Sequence, residues 1–354
     1  MMEPASPVPN SAAPYPPELL ARHAAWWEGR ARLIARPYEP ELASLWLPLA
    51  DGSVAQADIN LTPKSLDLDR LADPPRDSLA TATGGDLVPA RLPYIRLPWM
   101  EAIAGCQIRA LIRAGSMRTR PVLSDWGDLE CLPDRRRNGW LDALLDLIQR
   151  MVAAAPEGEA VAHTLMRGPA DIAEAMVGAE HLCLAIYDQP EELSALLAYT
   201  TELFEEVWRE QAARIPRLAG GSVNWYGIWA PGTTVRTQCD ASALTSPKLY
   251  ADRLAPWDRR TAQVAQFSIM HLHSGSLHVI DSLLQGSYPT ALQVSLDPPP
   301  SAPHWRALLP TFARMLDHKP LLLDGFLDAE EVDAIQQALP QDGLAVIGRR
   351  AQPD

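Results

Sequence analysis

The chain has 354 residues, 47% hydrophobic and 21% charged, a balance that excludes a disordered polymer, a coiled coil and a collagen-like fibre. Its formal charge of −13 argues against a nucleic-acid partner, whose phosphates require a basic face. No apolar run reaches the roughly 20 residues that cross a bilayer, and the opening MMEPASPVPNSAAPYPPE lacks the pattern of a secretory leader, so the expected compartment is the cytoplasm.

In chain order, the Pro/Ala/Ser-rich residues 1–17 read as a disordered arm. A helix is predicted from Pro17 to about Ile34, because Leu19, Leu20, His23, Trp26 and Trp27 fall near one helical face. Residues 36–98 are broken by proline, with short strand-like runs such as SLWLPLA at 44–50. Residues 18–95 thus form a helix and an irregular segment packed on a main domain over 96–348. Within that domain, apolar strand-like runs recur at 161–166, 222–229, 266–273, 291–296, 320–324 and 344–347. Helical patterns fall between them at 171–178, 190–215 and 328–339, the last with Asp328 as N-cap.

Short apolar strands alternating with helices imply a parallel sheet covered on both faces. Neither G-x-G-x-x-G nor G-x-x-x-x-G-K-[ST] occurs. Polar and aromatic residues stand instead at the C-terminal ends of several strands: Arg167, Trp225 to Trp229, His271 to His273, Asp297 and Asp324. A (β/α)8 TIM-type barrel, an α/β fold in a single domain with an irregular N-terminal extension, requires that distribution, since its site is assembled at one mouth.

Three clusters carry candidate chemistry. In MHLHSGSLH (270–278), His271 and His273 are two apart on a strand end and share a face, with Phe267 and Ile269 continuing it inward. The SGS that follows turns into a helix near Leu277, whose free N–H groups would attract an anion. The pair reads either as metal or acid–base ligands or as hydrogen-bonded histidines without a ligand, and His278 faces solvent or the helix–sheet seam. A metal needs a third donor, for which Cys239, Asp240, Glu101 and Cys106 are of the right class. The four cysteines, Cys106, Cys131, Cys183 and Cys239, form no CxxC pair, so each is a small buried hydrophobe or a single ligand. In the second cluster, 224–247, Asn224, Trp225, Tyr226, Trp229, Arg236, Gln238 and Asp240 describe a small-molecule pocket with aromatic walls. Asp240 is there a substrate-orienting group or base, or else a turn residue. In the third, 97–108, Trp99 and Glu101 stand where a helix begins, and no G-x-S-x-G elbow is present anywhere.

PWMEAIAGC (98–106), RGPADIAEAMVG (167–178), DQPEELSALL (188–197), WAPGTTVRTQCDASALTSP (229–247) and HLHSGSLHVIDSLL (271–284) together resemble the uroporphyrinogen decarboxylase superfamily. That group joins the heme-pathway decarboxylase to cobalamin-dependent methyltransferases on one (β/α)8 barrel, and the resemblance covers roughly 95 to 340. The decarboxylases open with R-Q-A-G-R; here residues 20–45 hold Arg22, Arg30, Arg32 and Arg36 without that motif. The zinc methyltransferases carry His-x-Cys where this chain has His271-x-His273, and no cysteine follows Cys239. The resemblance therefore implies, first, one-carbon transfer between a small methyl donor and a corrinoid protein or a thiol. Zinc would sit on His271, His273 and Cys239 or an acid. The alternative it implies is metal-free decarboxylation of a tetrapyrrole or other polycarboxylate, with Asp240 stabilising a cationic intermediate. A non-catalytic barrel binding a corrinoid or other small molecule is the third reading. The relatives suggest a monomer or homodimer.

Overall fold

The computed structural model describes residues 15–38, 45–73, 85–93, 96–124, 126–132 and 134–349. Of the expected N-terminal arm, residues 1–14 lie outside the described residues. The first helix, α1 (Pro17–Trp27), buries Leu20, His23, Trp26 and Trp27. It stops well short of Ile34, because Gly29 takes a left-handed φ of 69° that a helix cannot pass through. Residues Leu33–Tyr38 form strand β1 instead. This corrects the length of the predicted helix.

Seven further strands run in parallel pairings: β2 (Ala90–Arg91), β3 (Ala160–Val161), β4 (Thr234–Gln238), β5 (Phe267–His273), β6 (Ala291–Leu296), β7 (Leu321–Phe326) and β8 (Leu344–Arg349). Six make one sheet in the order β1-β8-β7-β6-β5-β4, and β2 pairs with β3 separately. The first strand among the described residues thus lies beside the last. Among the described residues no ladder joins the pair to the six, so the fold is α/β with a six-stranded parallel sheet, and the closed eight-stranded ring is not demonstrated by its hydrogen bonds. Of the predicted strand 161–166, only Val161 is strand. The predicted strand 222–229 is in fact two short antiparallel pieces, Ser222–Val223 and Trp229–Ala230. Asn224 makes the turn between them: its Oδ1 accepts from the N–H groups of Tyr226 (2.9 Å) and Ile228 (3.2 Å), and Gly227 follows at φ 73°. Residues Ile59–Leu61, Gln107–Leu111 and Ser116–Arg120 form a small antiparallel sheet.

The helices used below are α2 (Trp99–Ile103), α3 (Trp140–Ala154), α4 (Pro169–Val177), α5 (Pro190–Ala212), α6 (Ala255–Ala262), α7 (Trp305–Leu316) and α8 (Ala329–Ala338). Asp328 caps α8 as predicted, and Glu331 returns a bond to the Asp328 N–H, a reciprocal box that satisfies two orphan donors. No helix among the described residues is long and apolar enough to cross a membrane.

Side-chain alternation gives the large sheet two distinct faces. Met270, Leu272, Leu292, Val294, Leu321, Leu323, Leu344 and Val346 pack outward with Phe312 and Met315 of α7 and Ile335 of α8. The opposite face begins as an apolar layer of Leu33, Ala35, Ile269, Ala291, Leu322 and Ala345, against Trp26, Trp27 and Ile228. Toward the C-terminal ends of the strands the same face turns polar: Gln238 and Gln293 flank His271 in register on β4 and β6. Two residues on, His273 and Ser295 are register partners. Apolar side chains hold this face from below, so the polar row above it is presented on rigid strands.

Candidate functional site

His271 and His273 sit on the polar end of β5, and Ile269 and Phe267 continue their face into the apolar layer, as the spacing predicts. The proton positions on these rings follow from donors that have no choice. Arg236 can only donate, and its Nε reaches the Tyr226 hydroxyl at 3.2 Å. Tyr226 must then pass its own proton onward, to Gln293 Oε1 at 2.6 Å. That fixes the amide, and the same Oε1 accepts from His271 Nδ1–H. Burial, with the Arg236 guanidinium adding to it, holds His271 well below the usual imidazole range, so the ring is neutral and Nε2 carries the lone pair. His273 Nδ1 lies 3.0 Å from both carboxylate oxygens of Asp297, which can only accept, so it too is N–H.

Both rings therefore turn their Nε2 atoms into the site, 3.3 Å apart. Two lone pairs at that distance repel unless a proton or a cation lies between them. The tetrahedral edge between two nitrogens on zinc, from arms of about 2.0–2.1 Å, is about 3.3–3.4 Å. Asp240 completes a triangle, its Oδ1 at 4.0 Å from His273 Nε2, and the donor atoms of Asp240, His271 and His273 all lie within 4.8 Å of one another. Two imidazole nitrogens and a carboxylate, each imidazole held from behind by an acceptor, suit a divalent transition metal with an open position.

Asp240 is itself held. Gln238 Nε2 donates to Asp240 Oδ2 at 2.7 Å and to Asp171 Oδ2 at 2.8 Å, while Arg236 donates to Gln238 Oε1. Asp171, on α4, accepts from the Ala241 N–H at 3.1 Å. Burial, together with the neighbouring Asp240 charge, pushes the Asp171 carboxyl up to about 7. Arg167 Nη1 meets Glu101 Oε1 at 2.8 Å, with Asp171 at 3.8 Å and Asp240 at 3.9 Å. Burial opposes its charge, but these three carboxylates outweigh it and keep the guanidinium above its ordinary value. The loop that delivers Arg167 must pass very close to β4: a Cβ on Gly168 would lie 1.9 Å from the Gln238 carbonyl oxygen, so only glycine fits there.

Of the other residues singled out from the sequence, Trp99 is a core side chain on α2, edge-on to Trp140 of α3. Trp229 is also buried, its Nε1 donating to the Leu218 carbonyl at 2.8 Å. Trp225 is half-buried against the apolar layer. Cys239 is buried, and burial, with Asp258 adding to it, raises its thiol well above the usual value. The group of close donors contains Asp240, its chain neighbour, and not Cys239. Burial likewise pushes Cys106 up to about 12, with Glu101 adding to it. His278 is exposed and bonds the Thr245 carbonyl at 2.9 Å. The expected helix start after SGS is a 3-10 segment, Ser274–Val279, broken at Ser276 (φ −124°, ψ 34°), so it presents no aligned row of N–H groups. Gln293 and Asp171 escaped the reading of individual residues. A glutamine inside ALQVSL carries no chemical signal of its own, though its place opposite the polar strand ends does.

A cavity of about 370 Å³ opens beside this cluster, with Asp240, His273 and Asp297 in its wall. No protein-family model matches the chain, and no curated protein sequence matches it. Among solved structures it is similar to a methyltransferase from Methanosarcina mazei, with a TM-score of 0.59 and 14% identity over 94% of this chain and 93% of that one. The likeness is one of fold.

Proposed function

We propose that this chain is a methyltransferase-like enzyme of the uroporphyrinogen decarboxylase superfamily. It moves a one-carbon group between a small methyl donor and a corrinoid protein or a thiol, at a zinc centre held by His271, His273 and Asp240. The observation that carries the reading is the approach of the two Nε2 atoms at 3.3 Å, each ring anchored through Nδ1 by an acceptor of its own. The fold of the Methanosarcina mazei methyltransferase over nearly the whole chain supports it. In the same reading the eight parallel strands form a (β/α)8 barrel. The pairing of β1 with β8 and of β2 with β3 supports this, and so does the gathering of polar side chains at the C-terminal strand ends.

Zinc, when bound, lowers the pKa of a coordinated thiol and makes it a nucleophile near neutral pH. The chain's own residues prepare for this. Gln293 and Asp297 each accept from an Nδ1–H and so turn both Nε2 atoms into the site, Gln238 orients the Asp240 carboxylate, and the cavity gives a small substrate room on the open side. Decarboxylation of a polycarboxylate is less well supported, because the nearby arginines are engaged: Arg167 with Glu101, Arg236 with Gln238 and Tyr226, and Arg349 with Asp324 at 2.8 Å. Metal analysis of protein purified without chelators tests the proposal. About one zinc per chain is expected, lost in His271→Ala and in His273→Ala, with methyl transfer to an added thiol lost in parallel. Zinc that persists in both variants, or activity that survives chelation but disappears in Asp240→Asn, would overturn the centre.

A further inference from the structure

The charges around the cavity bear on what sits at the far end of the substrate. Its wall carries the carboxylates of Asp240 and Asp297 and the hydroxyls of Ser242, Ser276 and Ser301, and among the described residues no lysine or arginine lines it. The guanidinium of Arg167 already faces Glu101, Asp171 and Asp240, and that of Arg236 is turned to Gln238 and Tyr226. Asp297 lines the cavity, is 25% exposed and directs both oxygens at one N–H, which leaves it lone pairs to accept further bonds. The broken turn at Ser276 offers no compensating helix dipole. With Asp240 and a thiolate offsetting a divalent cation, Asp297 is the carboxylate left in the cavity wall.

We infer that the cavity selects a small aminothiol, whose ammonium group pairs with Asp297, and discriminates against thiols that carry a carboxylate or sulfonate. This rests on the thiol-binding reading above and adds to it the charge class of the substrate. Like-charge juxtaposition across a partly enclosed site is worth on the order of tenfold or more in affinity.

The test compares cysteamine with 3-mercaptopropionate, thiols of similar size and opposite charge. Their dissociation constants are measured by calorimetry on the zinc-loaded protein, and on cobalt-substituted protein from the thiolate-to-cobalt absorption band. Cysteamine is expected to bind at least about tenfold more tightly. Asp297→Asn keeps an acceptor for His273 while removing the charge, and, measured at metal concentrations that saturate the site, is expected to bring the ratio toward one. Ser301→Lys, at an exposed wall position away from the metal ligands, is expected to shift the preference toward 3-mercaptopropionate. Equal or tighter binding of 3-mercaptopropionate by the unaltered protein would overturn the charge rule while leaving the thiol site standing. Failure of both thiols to bind the metal-loaded protein would overturn the thiol site itself, and the inference with it.

Discussion

The two acceptors behind the histidines differ in a way that yields a quantitative prediction. Gln293 is fully buried, whereas the Asp297 side chain is 25% exposed. In Asp297→Ala, water can take over the His273 Nδ1–H. The loss is then the charge-assisted part of the bond and the basicity it lends to Nε2, and a fall in zinc affinity of about tenfold is expected, or about 1.4 kcal/mol. In Gln293→Leu no water reaches His271 Nδ1, and the ring is free to carry its proton on Nε2, where a metal would have to displace it. Affinity should fall by about a hundredfold, or about 2.7 kcal/mol. Unfolding stability should also fall, by about 1–3 kcal/mol, because a buried donor is left unpaired. Competition for zinc against a chromophoric chelator gives the first quantity and urea unfolding of the metal-free protein the second. Nitrogen chemical shifts of the two imidazoles report the tautomers directly. Unchanged zinc affinity in both variants, or Nε2–H tautomers in the unaltered metal-free protein, would refute the tautomer argument.

Three further outcomes follow from the same structure. His23 is fully buried and uses both nitrogens as a neutral ring, Nδ1 accepting from the Trp229 N–H at 2.9 Å and Nε2–H donating to the Asp86 carbonyl. Burial lowers it to about 4, so the unfolded chain binds the extra proton first as pH falls from 6.5. Its contribution, about 3 kcal/mol, is present above pH 6.5 and lost toward pH 4. Urea midpoints of His23→Gln should therefore fall less steeply over that window, and parallel slopes would contradict the assignment. Arg167→Met leaves the fully buried Glu101 carboxylate without its partner and should cost about 3–5 kcal/mol in denaturant unfolding. Adding Glu101→Gln should recover most of that loss, and a double variant no more stable than the single one would argue against the pair. Gly168→Ala forces the loop away from the Gln238 carbonyl and should cost about 1–3 kcal/mol by thermal unfolding, together with weaker zinc binding as Gln238 moves. Unaltered zinc binding would separate that loop from the site.

The class of fold and one edge of the site are legible in the chain itself. Apolar runs at 266–273, 291–296, 320–324 and 344–347 are strands because a parallel sheet covered on both sides needs apolar residues on both faces. His271 and His273 share a face because the strand period is two. Short-range pattern misled where a glycine or a turn decided the matter, as at Gly29, where α1 ends early, and at Asn224–Gly227, where an apparent strand folds back on itself. Everything that makes the histidine pair specific came from long-range packing. Gln293, Asp297, Asp240 and Arg236 stand on two strands and the loops that follow them, and the bonds of Gln293 and Asp297 to Tyr226, His271 and His273 join residues 67, 22 and 24 apart. Spacing along a chain encodes which side of an element a residue takes. Which acceptor stands behind a ring nitrogen, and so where its proton goes, is decided only when the strands are brought side by side.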